Sequence, residues 1–174
     1  MKYMLFILAQ ICGTIALVLT VISVHFKTKE KMVICSIIAN IVVAIQFFLL
    51  NAITGGIISI INTIRGLVYY YYKKKDKKPS LLILLSFEII AIISGIITWQ
   101  NIWSIIPITA TCIYTYALWQ DNVTFIRFAT GLVGLEWAIY DLMVRAYVGV
   151  VQETSQFISA VISLIRNRKA KYQS

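Results

Sequence analysis

Seven apolar stretches, each long enough to cross a bilayer and separated by short polar turns, leave this chain little choice of fold. They cover residues 3–25, 32–51, 54–72, 80–98, 101–120, 124–143 and 147–165. A helix needs about 20 mostly apolar residues to span the hydrocarbon core. Hydrophobic residues make up 60% of the 174 and charged residues only 13%. A soluble domain of this size cannot hide so much apolar surface, so lipid is the solvent for most of the chain. The expected fold class is therefore all-α integral membrane, with seven transmembrane helices. The first stretch, Tyr3 to Val24, is too long for the h-region of a signal peptide and has no small-residue cleavage site, so it reads as a retained helix.

The net charge of +9 comes from short loops and tails. Placing the N-terminus outside puts 13 of the 16 basic residues in the cytoplasm. Lys27, Lys29 and Lys31 follow the first helix. Lys73, Lys74, Lys75, Lys77 and Lys78 follow the third. Arg127 starts the sixth, and Arg166, Arg168, Lys169 and Lys171 form the tail. Lys2 and Arg145 lie outside, and Arg65 lies within the membrane. The positive-inside rule then expects an N-out, C-in protein of the bacterial inner membrane. Tyr69 to Tyr72 read as an aromatic belt at the inner headgroups. The expected partners are membrane lipids, with anionic headgroups at the lysines of 73–78, and a small solute. A homo-oligomer is left open, and nucleic acid is not expected.

A repeat recurs at an offset of 94 residues. "AITGGIISIINTIRGLVYYYYKKK" from Ala52 aligns with "AYVGVVQETSQFISAVISLIRNRK" from Ala146, Gly55 with Gly149, and Asn62 with Gln156. Each copy has an outer turn with little charge, a glycine-containing helix start, a mid-helix amide and a basic inner end. Helices 1–3 and 5–7 read as two copies of one unit. Because three is odd, helix 4 is needed to restore direction. The expected organisation is 1–78 as the first repeat, 79–99 as a linker helix, and 100–174 as the second repeat with a basic tail. That 3+1+3 plan, with parallel repeats about an axis along the membrane normal, is the plan of the SWEET sugar transporters.

Ionisable residues in spanning segments are costly and face a bundle interior or a cavity. At 1.5 Å per residue, Arg65 lies roughly 12 Å from the inner surface, and Glu88 and Glu136 lie at about that depth. Arg65 is expected to pair with one of these acids, or to snorkel to the interface. Glu153 lies roughly 20 Å from the inner end. Asp141, near the outer end, is expected to be solvated. Asn62 and Gln156 fall near the midplane, where repeat-built transporters bind substrate; interhelical bonding is the alternative role. Glu153 and Gln156 share a face with Gln152, and the repeat brings Ser59 to the height of Glu153. A stripe of Gln152, Glu153 and Gln156 cannot face lipid unpaired. Asn62, Gln156, Glu153, Gln152 and Ser59 are thus the candidate substrate-binding set. It suits neutral or cationic solutes, unless Arg65 instead holds a carboxylate. Gly55, Gly56, Gly149, Gly131 and Gly134 allow close helix approach, and Pro107 is expected to kink helix 5.

"AQICGTIALVLT", "IIPITATCIYTYALW" and "FFLLNAITGG…INTIR", with Glu153 and Arg166, resemble the YgjV family of bacterial inner-membrane proteins. The resemblance covers nearly the whole chain apart from helix 4. It implies distant similarity to the SWEET, PQ-loop and PnuC transporters, which share the 3+1+3 plan and move sugars, amino acids or vitamins by alternating access. SWEET-like proteins carry a polar pair on helices 3 and 7, which resembles Asn62 and Gln156. They also carry four prolines, on helices 1, 2, 5 and 6. Here only Pro107 matches, with Gly13 opposite it at the repeat offset, and these two are the candidate hinge. No PQ dipeptide is present, so sugar specificity is not carried over.

No hydrolase, P-loop or dinucleotide motif occurs, and the one histidine, His25, sits at the inner edge of helix 1. Cys12, Cys35 and Cys112 lie in apolar runs without ligand spacing, so neither metal nor cofactor is implied. The two functional readings are a small-solute transporter, which is not an enzyme, and a non-transporting scaffold that binds lipid or a protein partner.

Overall fold

The computed structural model describes residues 2–23, 29–120 and 122–172, and these form helices and short connections. His25 and Lys27 lie outside the described residues, as do the side chains of Lys2, Lys29, Arg166, Arg168, Lys169 and Lys171. The helices are α1 (Lys2–Ser23), α2 (Lys29–Leu49), α3 (Ile53–Lys74), α4 (Leu81–Ile97), α5 (Ile105–Gln120), α6 (Val123–Val144) and α7 (Tyr147–Tyr172). A 3₁₀ turn, Ile102–Ser104, leads into α5.

Among the described residues four segments are long and apolar enough to cross a membrane: Tyr3–Ile22, Ile102–Gln120, Val123–Val144 and Tyr147–Ile165. Shorter apolar runs, Ile34–Leu49 and Leu81–Ile97, occupy α2 and α4. α3 is the least typical. It carries Asn62, Arg65 and a tyrosine–lysine end, yet it buries Gly55, Ile58, Ser59, Ile61, Thr63, Arg65 and Tyr69. Its polar side chains look inward, whereas large aliphatic side chains such as Ile7, Ile89, Ile96 and Ile162 look outward. That inside-out pattern is what lipid as solvent demands.

The chain reverses at every connection, so the α3–α4 turn carries the lysine-rich end and the α2–α3 turn lies at the opposite end. α1 packs on α2, α2 on α3, α3 on α5, α5 on α6, α6 on α7, and α7 back on α1. Six helices thereby close a ring, with α4 outside against α3 and α5. Exchanging α1 with α5, α2 with α6 and α3 with α7 leaves this order of neighbours unchanged.

The turns agree. α2 ends with Asn51 in the left-handed region (φ 60°), and the Ala52 N–H donates back to the Phe47 carbonyl at 2.8 Å. α6 ends with Arg145 in the same region (φ 64°), and the Ala146 N–H donates to the Asp141 carbonyl at 2.8 Å. Both are six-to-one closures that satisfy carbonyls at a helix end, and the two lie 94 residues apart.

Pro107 was expected to kink helix 5. It is the third residue of α5, in the first turn, where a missing N–H breaks no intrahelical bond. The irregularity falls just before it, at the 3₁₀ turn. Gly13 packs closely, since a Cβ there would lie 2.6 Å from Gln46 Nε2.

Candidate functional site

The ring encloses a cavity of about 840 Å³. Every helix except α4 lines it. Gly13 comes from α1, Gln46 and Phe47 from α2, Asn62 and Arg65 from α3, Thr111 and Tyr114 from α5, Trp137 and Asp141 from α6, and Gln152, Glu153 and Gln156 from α7. At the lysine-rich end the lining includes the exposed residues Lys73, Asp76, Lys77 and Lys78, so the cavity reaches the surface there. At the other end the lining includes the buried side chains of Phe47 and Asp141.

That end is aromatic. Phe47, Trp137 and Tyr140 pack mutually at 5.6 to 5.8 Å between ring centroids, with Ala52 and Ala146 in the same cluster. Tyr140 reaches across to α3, where its hydroxyl accepts the Gly55 N–H at 3.0 Å. A Cβ on Gly55 would lie 2.6 Å from the Tyr140 ring, so only glycine admits this contact. Two further ties reinforce this end. Gln100 accepts from Ile53 N–H and donates to the Asn51 carbonyl, each at 2.8 Å. Gln10 donates to the Arg145 carbonyl at 2.8 Å.

The structure brings all five candidate binding residues, Ser59, Asn62, Gln152, Glu153 and Gln156, to this one cavity. Ser59 is buried, and the other four are half-buried. Asn62 Oδ1 accepts from the Thr111 hydroxyl at 3.1 Å. Gln156 Nε2 donates to Glu153 Oε1 at 3.1 Å. α7 turns its amide–acid stripe inward because α6 lies close behind it. A Cβ on Gly134 would sit 3.3 Å from the Glu153 carbonyl oxygen.

Arg65 also lines the cavity but does not join the acids. It is 5% exposed. One terminal nitrogen donates to the Thr111 carbonyl at 3.1 Å and to the Thr115 hydroxyl at 2.7 Å, and the guanidinium lies 5.2 Å from the centre of the Tyr114 ring. Neither Glu136 nor Glu88 lies within ion-pair distance of it. Their depths match, but neither lines the cavity. Glu136 Oε2 is buried without a hydrogen-bond partner, and Glu88 on α4 is half-buried. The physical reason is lateral. The Thr111 carbonyl and the Thr115 hydroxyl, one turn apart on α5, face α3 directly and supply oxygen without a second charge.

Asp141 corrects a further expectation. Far from being solvated, it is 3% exposed. Its carboxylate lies against the α7 backbone where Gly149 has no side chain, and a Cβ there would clash with Oδ2. Oδ1 is buried with no hydrogen-bond partner. The tyrosine run is also more than a belt: Tyr69 is buried beside Phe87, and Tyr69 and Tyr70 line the cavity, while Tyr71 is exposed. Cys12, Cys35 and Cys112 are free thiols.

Thr111, Tyr114, Thr115, Gln46 and Trp137 were not singled out as site residues from the sequence. Gln46 had a readable signal, an amide in an otherwise apolar run. It is 2% exposed, with Nε2 unpartnered.

A family model described as Imp-YgjV, bacterial inner membrane protein, matches residues 7–171. No curated protein and no solved structure matches the chain.

Proposed function

Because the chain belongs to this family of bacterial inner membrane proteins, we propose that it carries a small solute across that membrane by alternating access around the central cavity. One observation carries the reading: the repeat-related amides Asn62 and Gln156 line one ring-enclosed cavity that reaches the surface at the lysine-rich end. A volume of about 840 Å³ lies within the usual range of small-molecule pockets. Transporters built from repeats place their sites at the repeat interface near the midplane.

The self-mapping ring and the matched helix ends support two parallel three-helix repeats, 1–78 and 100–174, joined by α4 at 79–99. On the positive-inside rule the lysine-rich end faces the cytoplasm. The cavity is then inward-open, with Phe47, Trp137 and Tyr140 as the outer closure. A scaffold gains nothing from polar groups lining a void, since unpaired amides and acids in a membrane interior are unfavourable. The lysines of 73–78 would sit among anionic headgroups at the mouth.

The test is a thermal-shift screen of purified protein against sugars, amino acids, nucleosides and vitamins. At least one class is expected to raise the unfolding temperature of the wild type, and the gain should vanish in Asn62→Ala/Gln156→Ala. If every stabilising compound acts equally on the double variant, the cavity is not the binding site and transport through it is refuted.

A further inference from the structure

We infer that the closed end of the cavity receives an ammonium group, so that the solute is an organic cation or zwitterion. This rests on the transport reading above and narrows its substrate class.

The inference starts from Asp141. A carboxylate so deeply buried within the helix ring, with one oxygen unpartnered, is expensive to maintain. A second acid makes matters worse. Glu153, on the adjoining face of α7, lies within electrostatic reach and also lines the cavity. Among the described residues no Lys or Arg nitrogen comes within ion-pair distance of either acid. The groups around them are uncharged. α1 contributes Gly13 to the lining, and its Gln10 amide is committed to the Arg145 carbonyl. α2 contributes Gln46 and Phe47, and α7 contributes Gly149. The Arg145 side chain is exposed, outside the closure. The protein's own buried cation, Arg65, is bound to α5. Two acids without a counter-ion, in the part of a solute-sized cavity away from the lysine-rich mouth, are complementary to positive charge arriving from that mouth.

The surroundings select the kind of cation. Phe47 and Trp137 line the cavity with Asp141. Aromatic rings attract ammonium groups, whereas hard metal ions require a shell of oxygen ligands. Asp141 Oδ1 has no hydrogen-bond partner within the protein, and a turn of the side chain toward the cavity would present it to an N–H. Gln156, donating to Glu153, holds that second carboxylate in place.

The test uses full-length protein in detergent, with unfolding temperature as the readout. Probes are ethanolamine, choline and putrescine as chlorides, with sodium and potassium chloride at equal ionic strength, and ethylene glycol as the neutral counterpart of ethanolamine. At least one amine is expected to raise the unfolding temperature by about 3 °C or more above the salt controls. The gain should disappear in Asp141→Asn and shrink in Glu153→Gln. Should Asp141→Asn fail to fold, Glu153→Gln and the amine-against-glycol comparison in the wild type still decide. Equal effects of amines, salts and glycol, or stabilisation by sodium or by acidification alone, would overturn the inference. So would a neutral solute that stabilises wild type and Asp141→Asn alike but not Asn62→Ala/Gln156→Ala; that outcome would leave the transport reading standing.

Discussion

Replacing Arg65 by methionine is expected to change stability little, although a buried charge disappears. The two hydrogen bonds from its guanidinium, to Thr111 O and Thr115 Oγ1, contribute about 1.5–3 kcal/mol each as charge-assisted bonds. Against that stands a desolvation penalty of several kcal/mol for a guanidinium that is 5% exposed. The terms nearly cancel, so Arg65→Met should fall within about 1 kcal/mol of wild type. Thr115→Val should do worse, because it keeps the charge and removes its closer acceptor. Leaving that donor unsatisfied costs about 1–3 kcal/mol, or roughly 2–12 °C of unfolding temperature for a protein of this size. The double variant should resemble Arg65→Met alone, since the two residues share one interaction and do not add. Thermal unfolding of the four proteins in one detergent measures this. If Arg65→Met alone loses more than about 10 °C, and Glu136→Gln or Glu88→Gln restores it, an ion pair holds Arg65 and the threonine account is wrong.

Gly55→Ala should destabilise by about 1–3 kcal/mol through its clash with Tyr140. Gly66→Ala in the same helix, where a Cβ meets nothing within 4 Å, should be neutral or stabilising by up to about 1 kcal/mol; matched unfolding curves compare them. On a cysteine-free background, a cysteine at position 75 should be labelled only from the cytoplasmic side and one at 101 only from outside. The reverse pattern would invert the topology. Tyr140→Phe removes the acceptor of the Gly55 N–H. A cysteine at 62, labelled from the lysine-rich side in the parent, should then also become reactive from the opposite side; unchanged labelling would show that the closure does not depend on this bond.

The seven helices were legible because the bilayer sets their length and composition, and each apolar run could be read without knowing its neighbours. The cavity-facing set was legible for a related reason. Asn62, Gln152, Glu153 and Gln156 are too polar for lipid, and the 94-residue repeat placed Asn62 and Gln156 at one height before any contact was known. Height alone could not say which partner lies beside which. Glu136 and Glu88 match Arg65 in depth, but α5 brings Thr111 and Thr115 to it instead. Nothing in Thr115 marked it, since Thr14, Thr63 and Thr130 likewise return their hydroxyls to the carbonyl four residues back. Whether such an oxygen also meets a cation depends on the helix opposite. The same holds for Asp141, whose place near a helix end suggested water. Gly149 lets its carboxylate sit against the α7 backbone beneath the Phe47–Trp137–Tyr140 closure. Depth along one helix is a property of its own residues and the solvent, whereas the partner across a seam is decided by how the other helices pack.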